Sequence, residues 1–237
     1  MYFVKIGSGS PIVFLHGWGC DGSIYLPIVQ KLSNYYQCYV LDFNGFGKSP
    51  EPPKQGWTVE DYADNLALFF RMNDLERACI VGHSFGCRVG MVFAAKYPQF
   101  VDKMLLVAPA GLRSFSFKRW YKVRKYKLRK FLCRMGHCHN LTARYGSADY
   151  NACDESMKNT FVKVVNQDLS NFARIVHCPT LIVNGREDTE TPLKSAKRLQ
   201  KLIYQSALVE IDGGHFAFFQ NPDAFAKTVQ YFVEEES

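Results

Sequence analysis

The stretch Gly82-His83-Ser84-Phe85-Gly86 decides how the rest of the chain is read. Before it runs Ala78-Cys79-Ile80-Val81, apolar and short enough for a buried strand. After it, from Cys87 to Tyr97, the residues Val89, Val92, Phe93 and Tyr97 recur at helical spacing. The pattern G-x-S-x-G turns up by chance in many sequences. Between a strand and a helix it acquires a mechanism. Glycines two places either side of the serine lack the Cβ atoms that would obstruct a tight turn. The turn then lifts Ser84 off the end of a strand, with a helix N-terminus behind it.

The same alternation extends in both directions. Tyr2 to Ile6 reads as an edge strand, Gly7 to Pro11 as a turn, and Ile12-Val13-Phe14-Leu15 as a buried strand ending at His16-Gly17-Trp18-Gly19. Ser23 to Leu32 reads as a helix, with Ser23 as N-cap and Ile24, Ile28 and Leu32 spaced four apart. Gln37 to Leu41 is a strand, and a proline-rich loop follows to Trp57. Thr58 caps a helix to about Met72, with Glu60 and Asp61 in the first turn, where the helix dipole favours acids. Lys103 to Val107 is another strand. After Leu112 the rhythm breaks, and to about Asn171 the chain is basic, aromatic and helix-prone. It resumes with a strand at 179–183, a helix from about Pro192 to Leu202, a strand from Ala207 to Ile211 and a helix from about Pro222. Alternating strands and helices predict an α/β fold, a mostly parallel sheet with helices on both faces. The division expected is a core at 1–111 and 172–237, with an inserted helical cap at 112–171.

Composition bounds the function. The 237 residues are 47% hydrophobic, enough for one such domain. No apolar run approaches the roughly 20 residues of a membrane span. The opening residues lack the long apolar segment of a signal peptide. Eight cysteines show no disulfide framework, so reduced thiols and a cytoplasmic location are expected. No cofactor and no nucleic-acid partner is expected.

A serine hydroxyl is a weak nucleophile and needs a base, which needs an orienting acid. Asp188 follows the strand ending at Val183, and His215, in Gly213-Gly214-His215, follows the strand ending at Ile211. In open α/β sheets ligands bind beyond the carboxyl ends of the strands, which puts Ser84, Asp188 and His215 on one edge. Glu187 competes as the acid, and Asp188 is preferred. Each residue alone has a plainer reading: Asp188 as a turn former, His215 as a structural histidine in a glycine loop. An oxyanion would need fixed donors, for which the backbone N–H groups of Trp18 and Phe85 are the candidates. His16 is read as a loop-shaping residue and not as a second base.

Five stretches carry a family resemblance: LHGWG at 15–19, DFNGFGKS at 42–49, GHSFG at 82–86, NGREDTETP at 184–192 and GGHFAFFQNP at 213–222. Over nearly its whole length the chain resembles serine hydrolases of the α/β-hydrolase superfamily. The resemblance implies Ser84 as nucleophile, Asp188 as acid and His215 as base, and treats the DFNGFGKS stretch as a structural turn, leaving Asp42 out of the chemistry. It implies an eight-stranded sheet, of which one or both opening strands must be missing or very short here. Superfamily dehalogenases and epoxide hydrolases place an aspartate where Ser84 stands, so hydrolysis of a carboxylic ester or thioester through an acyl-serine is expected. C–C bond hydrolysis or cofactor-free perhydrolysis on the same triad is the alternative; a non-catalytic binding protein on this scaffold is the remoter one. Among groups of the superfamily, the chain is similar to pimeloyl-carrier-protein methyl ester esterases in its LHGWG stretch and in a positively charged helical cap.

Charge concentrates in that cap. Lys118 to Arg134 holds nine basic residues and no acid, and without them the net charge falls from +7 to −2. The interleaved aromatics give a basic amphipathic segment suited to an acidic carrier protein or an anionic lipid surface, or simply to a solvated face. Trp18, Trp120 and Phe216 are candidate substrate contacts, and the run Phe216-Ala217-Phe218-Phe219 suggests an acyl pocket with few charges. Cys133, His137, Cys138 and His139 are too crowded for a tetrahedral zinc site, so no metal is expected.

Overall fold

A computed structural model of the chain describes residues 1–113 and 148–235. Among the described residues seven strands form one sheet: β1 (Tyr2–Ile6), β2 (Ser10–Leu15), β3 (Tyr36–Asp42), β4 (Ala78–His83), β5 (Val101–Val107), β6 (Thr180–Gly185) and β7 (Ser206–Ile211), in the order β1-β3-β2-β4-β5-β6-β7. All pairs are parallel except β1 with β3, where Tyr2 opposes Asp42. Tyr2–Ile6 thus supplies an antiparallel edge strand.

The central strands read as unbroken apolar runs because both faces of the sheet are covered. In β2 the residues Ile12, Val13, Phe14 and Leu15 are all wholly buried. Val13 and Leu15 enter one core, Ile12 and Phe14 the other, as the two-residue period of a strand requires. The first core lies under α2 (Val59–Met72) and α3 (Phe85–Lys96), the second under α1 (Leu26–Leu32) and α9 (Pro222–Glu234).

Helix α2 begins as its sequence requires. The Asp61 N–H donates to Thr58 Oγ1 at 3.2 Å, and the Thr58 N–H donates to Asp61 Oδ2 at 2.7 Å. This reciprocal cap is worth about 1 kcal/mol. Helix α1 departs from expectation. Ser23 is not its N-cap; Asp21 accepts from the Ser23 N–H at 2.8 Å and opens a 3₁₀ turn at Gly22–Tyr25, and the α-helix starts only at Leu26. Pro27 explains the delay. A helix capped at Ser23 would need an N–H at residue 27, and proline has none.

Between β5 and β6 the described residues form α4 (Ala148–Ala152), α5 (Glu155–Asn166) and α6 (Ser170–Arg174). Helix α5 is tied to the loop before α2: Asn159 Nδ2 donates to the Lys54 carbonyl at 3.0 Å, Lys163 Nζ to the Gly56 carbonyl at 2.8 Å, and the Trp57 N–H to Thr160 Oγ1 at 3.1 Å. The basic run 118–134, Trp120 and the cluster Cys133 to His139 lie outside the described residues. After β6 come α7 (Leu193–Gln200), then β7 and the single turn α8 (Ala217–Gln220) before α9. Among the described residues no helix is long and apolar enough to cross a membrane.

Candidate active site

The sheet order reverses at β2, which pairs with β3 on one side and with β4 on the other. At such a switch point the loops leaving adjacent strands diverge and open a crevice. Leu15 pairs with Gly82 across β2 and β4, so the loop His16 to Gly19 and the turn at Ser84 emerge side by side. On the other flank Gly185 pairs with Ile211, which brings the loops holding Asp188 and His215 together.

Ser84 sits at φ 48° and ψ −100°, a backbone state that L residues rarely adopt. Its surroundings enforce the strain. The Ser84 N–H donates to the Val107 carbonyl at 3.0 Å. A Cβ on Gly82 would lie 2.8 Å from the Gly86 carbonyl carbon, and one on Gly86 would strike the Leu15 carbonyl. Helix α3 starts at Phe85, so the Phe85 N–H is one of the first-turn donors that lack a partner inside a helix. The rings of Trp18 and Phe85 meet edge to face, with centroids 5.3 Å apart.

His215 Nδ1 lies 2.8 Å from Asp188 Oδ2. The Asp188 side chain is wholly buried and that of His215 nearly so. Thr191 Oγ1 donates to the same carboxylate oxygen at 2.7 Å and lies 3.3 Å from Nδ1. The other oxygen, Oδ1, accepts the N–H groups of Glu190 and Thr191, each at 2.8 Å. Burial would raise the Asp188 carboxyl, but the bonds from His215 and Thr191 outweigh it and hold it below its ordinary value. An ionised Asp188 only accepts, so Nδ1 carries the proton and Nε2 keeps its lone pair. Among the described residues no hydrogen bond joins Ser84 Oγ to His215, although both line one cavity of about 470 Å³. Glu187 is directed elsewhere, its carboxylate accepting the Gly213 N–H at 2.5 Å.

The other two histidines on this edge have different duties. His16 is wholly buried; its Nδ1 lies 2.7 Å from the Gly17 carbonyl, and its Nε2 accepts the Phe43 N–H at 3.0 Å. Burial lowers its pKa to about 4. It shapes the loop after β2, as expected from the sequence. His83 Nε2 donates to the His215 carbonyl at 3.0 Å, with the two rings 4.8 Å apart. Burial, and then the neighbouring His215, lower the pKa of His83 to about 3. Asp42 is likewise structural, accepting the Gly22 and Lys48 N–H groups at 2.9 and 2.8 Å.

Trp18 lines the cavity, and Phe216 does not. The run 216–219 divides among different surroundings. Phe218 is buried in the core, 4.8 Å from the His83 ring and 5.7 Å from Tyr25, while Phe216 packs on His83 and His215 from outside and Phe219 is exposed. Apolar lining of the cavity comes from Phe161, Val164 and Val165 of α5, with Phe161 5.1 Å from Trp18. Nor is the cavity poor in charge: Arg88, Asp149 and Glu190 all line it. Arg88 Nη1 donates to the carbonyls of Val164 and Gln167 at 2.9 and 3.2 Å, fastening α5 to α3. It stands one helical turn beyond Ser84, a spacing that places it on the serine's side of α3. Thr191 was also readable: an aspartate two and three residues before the N–H groups it accepts is an Asx-turn signature.

Residues 10–135, more than half of the chain, match the family model described as alpha/beta hydrolase fold. The chain belongs to the alpha/beta hydrolase fold family. A pimeloyl-[acyl-carrier protein] methyl ester esterase of Wigglesworthia glossinidia brevipalpis is 24% identical to this hydrolase over 97% of its chain and 96% of the relative. A 2-hydroxy-6-oxo-2,4-heptadienoate hydrolase of Pseudomonas putida is 26% identical over 98% and 91%. In fold, the hydrolase is similar to an esterase from Exiguobacterium antarcticum, with a TM-score of 0.79 and 21% identity over 99% of this chain and 95% of that one. The expected α/β-hydrolase architecture is therefore established, with seven strands in the sheet among the described residues.

Proposed function

We propose that the protein hydrolyses a carboxylic ester or thioester through an acyl-serine at Ser84, with His215 as base and Asp188 as its orienting acid. The observation that carries this reading is the 2.8 Å contact of His215 Nδ1 with a buried Asp188, His215 itself lining a cavity that Ser84 also lines. The contact holds the proton on Nδ1 and leaves Nε2 to accept one. Ser84 Oγ attacks the acyl carbon while its proton passes to Nε2. The backbone N–H groups of Trp18 and Phe85 receive the negative oxygen of the tetrahedral intermediate. The Nε2 proton then goes to the departing alcohol or thiol, and water repeats the sequence on the acyl-serine. Asp188 stays ionised throughout and stabilises the imidazolium.

The cap is proposed to span 112–171, with α5 as its acyl-facing wall. The basic run 118–134 is proposed to steer an acidic partner, of which an acyl carrier protein is the first candidate and an anionic lipid surface the second. The methyl ester esterase relative, whose own substrate is a carrier-protein ester, supports that order. The free thiols Cys20, Cys38, Cys79, Cys87, Cys153 and Cys178 suit a reducing compartment such as the cytoplasm.

C–C bond hydrolysis is the second reading, favoured by the full-length likeness to the Pseudomonas putida hydrolase. A panel of p-nitrophenyl esters of graded acyl length, run beside a vinylogous diketone, separates the two. Turnover of the diketone with none of the esters would replace the esterase reading.

A further inference from the structure

The nitrogen of His215 that faces the cavity has a second acidic neighbour. Glu190 Oε2 lies 3.5 Å from His215 Nε2, the nitrogen not engaged by Asp188. Glu190 is held there through its backbone, whose N–H donates to Asp188 Oδ1 at 2.8 Å. Its side chain is 65% exposed, so it stands at the cavity's open side. Burial, then the negative charges of Asp21 and Glu190, raise the Cys20 thiol.

This inference rests on the proposed hydrolysis. In that reaction the departing oxygen takes its proton from Nε2 and must approach it to about 3 Å. The leaving group therefore passes beside Glu190, within a Debye length of about 8 Å. An anionic leaving group would meet like charge there, and a cationic or hydroxyl-bearing one would meet an acceptor.

We propose that Glu190 is a specificity-determining residue that selects the leaving group by charge. The site takes esters whose alcohol part is neutral or cationic, and discriminates against an alcohol part that carries a carboxylate. The charged groups around this end of the cavity agree with the assignment. Asp188 is committed to Nδ1 and to two backbone N–H groups. His83, behind the His215 ring, is held neutral by burial. Arg88 is anchored on the carbonyls of Val164 and Gln167, and Asp149 adds a second negative charge to the lining.

The test uses three butyrate esters with the same acyl chain: of meta-trimethylammoniophenol, of phenol and of meta-hydroxybenzoate. The ratio of variant to wild-type kcat/KM on each ester cancels its intrinsic reactivity. Glu190→Gln should lower the preference for the cationic over the anionic ester about tenfold, mainly through KM, and high salt should erase most of the difference. Glu190→Lys should reverse the preference, and Glu190→Asp should retain part of it. Asp223→Asn, which removes a charge at the start of α9 where it pairs with Lys31, should leave the preference unchanged. Equal losses on all three esters in Glu190→Gln would mean that Glu190 only shapes its loop, and would overturn the proposal. So would a preference that stays within twofold of wild type, or one that Asp223→Asn shifts equally. In each of these results phenyl butyrate is still cleaved and the hydrolase reading stands. Failure of the wild-type protein to cleave any of the three, with no labelling of Ser84 by a fluorophosphonate, would sink both.

Discussion

Two acid–histidine sets stand on the same edge of the sheet, and they are used in opposite ways. At the ends of β2 and β3, Asp42 and His16 direct their polar atoms to the main chain. Asp42 takes the N–H groups of Gly22 and Lys48, and His16 contacts the Gly17 carbonyl and the Phe43 N–H. At the ends of β6 and β7, Asp188 gives one oxygen to the main chain and the other to His215 and Thr191. His215 then has one nitrogen left over, and it faces a cavity. Residue type and burial are similar in the two sets. What differs is the unspent hydrogen-bonding capacity, and chemistry is available only where some remains. A saturated pair is a brace; an unsaturated one can move a proton.

The sharpest way to break that contrast is to remove each histidine in turn. His215→Ala should lower kcat by on the order of 10⁴ to 10⁶ with the fold retained. His16→Ala should act on the fold instead, because it leaves the Phe43 N–H buried without its acceptor, at a cost of about 1–3 kcal/mol. Thermal melts and ester turnover on the folded fraction separate the two. Comparable kcat losses in both variants would erase the distinction.

The acids offer the next comparison. Asp188→Asn should cost on the order of 10⁴ in kcat, because an amide cannot orient and charge-stabilise the imidazole as a carboxylate does. Asp42→Asn keeps one acceptor for its two backbone donors and should lower Tm while leaving kcat within a few-fold. If Asp188→Asn kept near-normal turnover and Glu187→Gln lost it, the acid would be misassigned.

These contrasts were only partly legible in the sequence, and the reason is physical. The turn at Ser84 was readable because its constraints are local: two glycines whose missing Cβ atoms make room for the serine's left-handed backbone. The cap at Thr58 was readable for the same reason, its partner being three residues away. Alternating apolar strands gave the sheet, and chain order put Asp188 and His215 on one edge of it. The direction of a side chain across a one-turn helix was not readable. Phe218 points into the core and Phe219 into solvent, so the run 216–219 could not be sorted into pocket and core by composition. The apolar lining that α5 gives the cavity is held by hydrogen bonds that Asn159 and Lys163 donate to carbonyls more than a hundred positions away in the chain, at Lys54 and Gly56. The delayed start of α1 was a missed local signal, since Pro27 forbids the bond that a helix from Ser23 would need.

Acid should sharpen the contrast more gently. His16 and His83 have folded-state pKa values near 4 and 3, below the ordinary 6.5. Over the interval between, the unfolded chain binds more protons, so stability is full above about pH 6.5 and declines as the pH falls. The slope approaches 1.4 kcal/mol per pH unit for each histidine. Urea titrations between pH 7 and 4.5 should show this decline, and a conservative His83→Gln variant should flatten it by about half. A pH-independent midpoint over that interval would contradict the burial argument.

The smallest effect is expected at Thr191. Thr191→Val removes one of the hydrogen bonds on Asp188 Oδ2 but leaves the backbone bonds and His215 in place. A fall in kcat of about three- to tenfold, with KM little changed, is the expected result. A loss as large as that of Asp188→Asn would assign Thr191 a share in orienting the imidazole that its 3.3 Å approach to Nδ1 does not suggest.

The central claim is that the unspent nitrogen of His215 activates Ser84. The most direct test is the rate of fluorophosphonate labelling, followed by intact mass and peptide mapping, in the wild-type protein and in His215→Ala and His16→Ala. The account predicts one adduct, on Ser84, formed rapidly by the wild type and by folded His16→Ala, and slowed at least a thousandfold in His215→Ala. An adduct on another residue, or labelling of Ser84 at the same rate without His215, would contradict it.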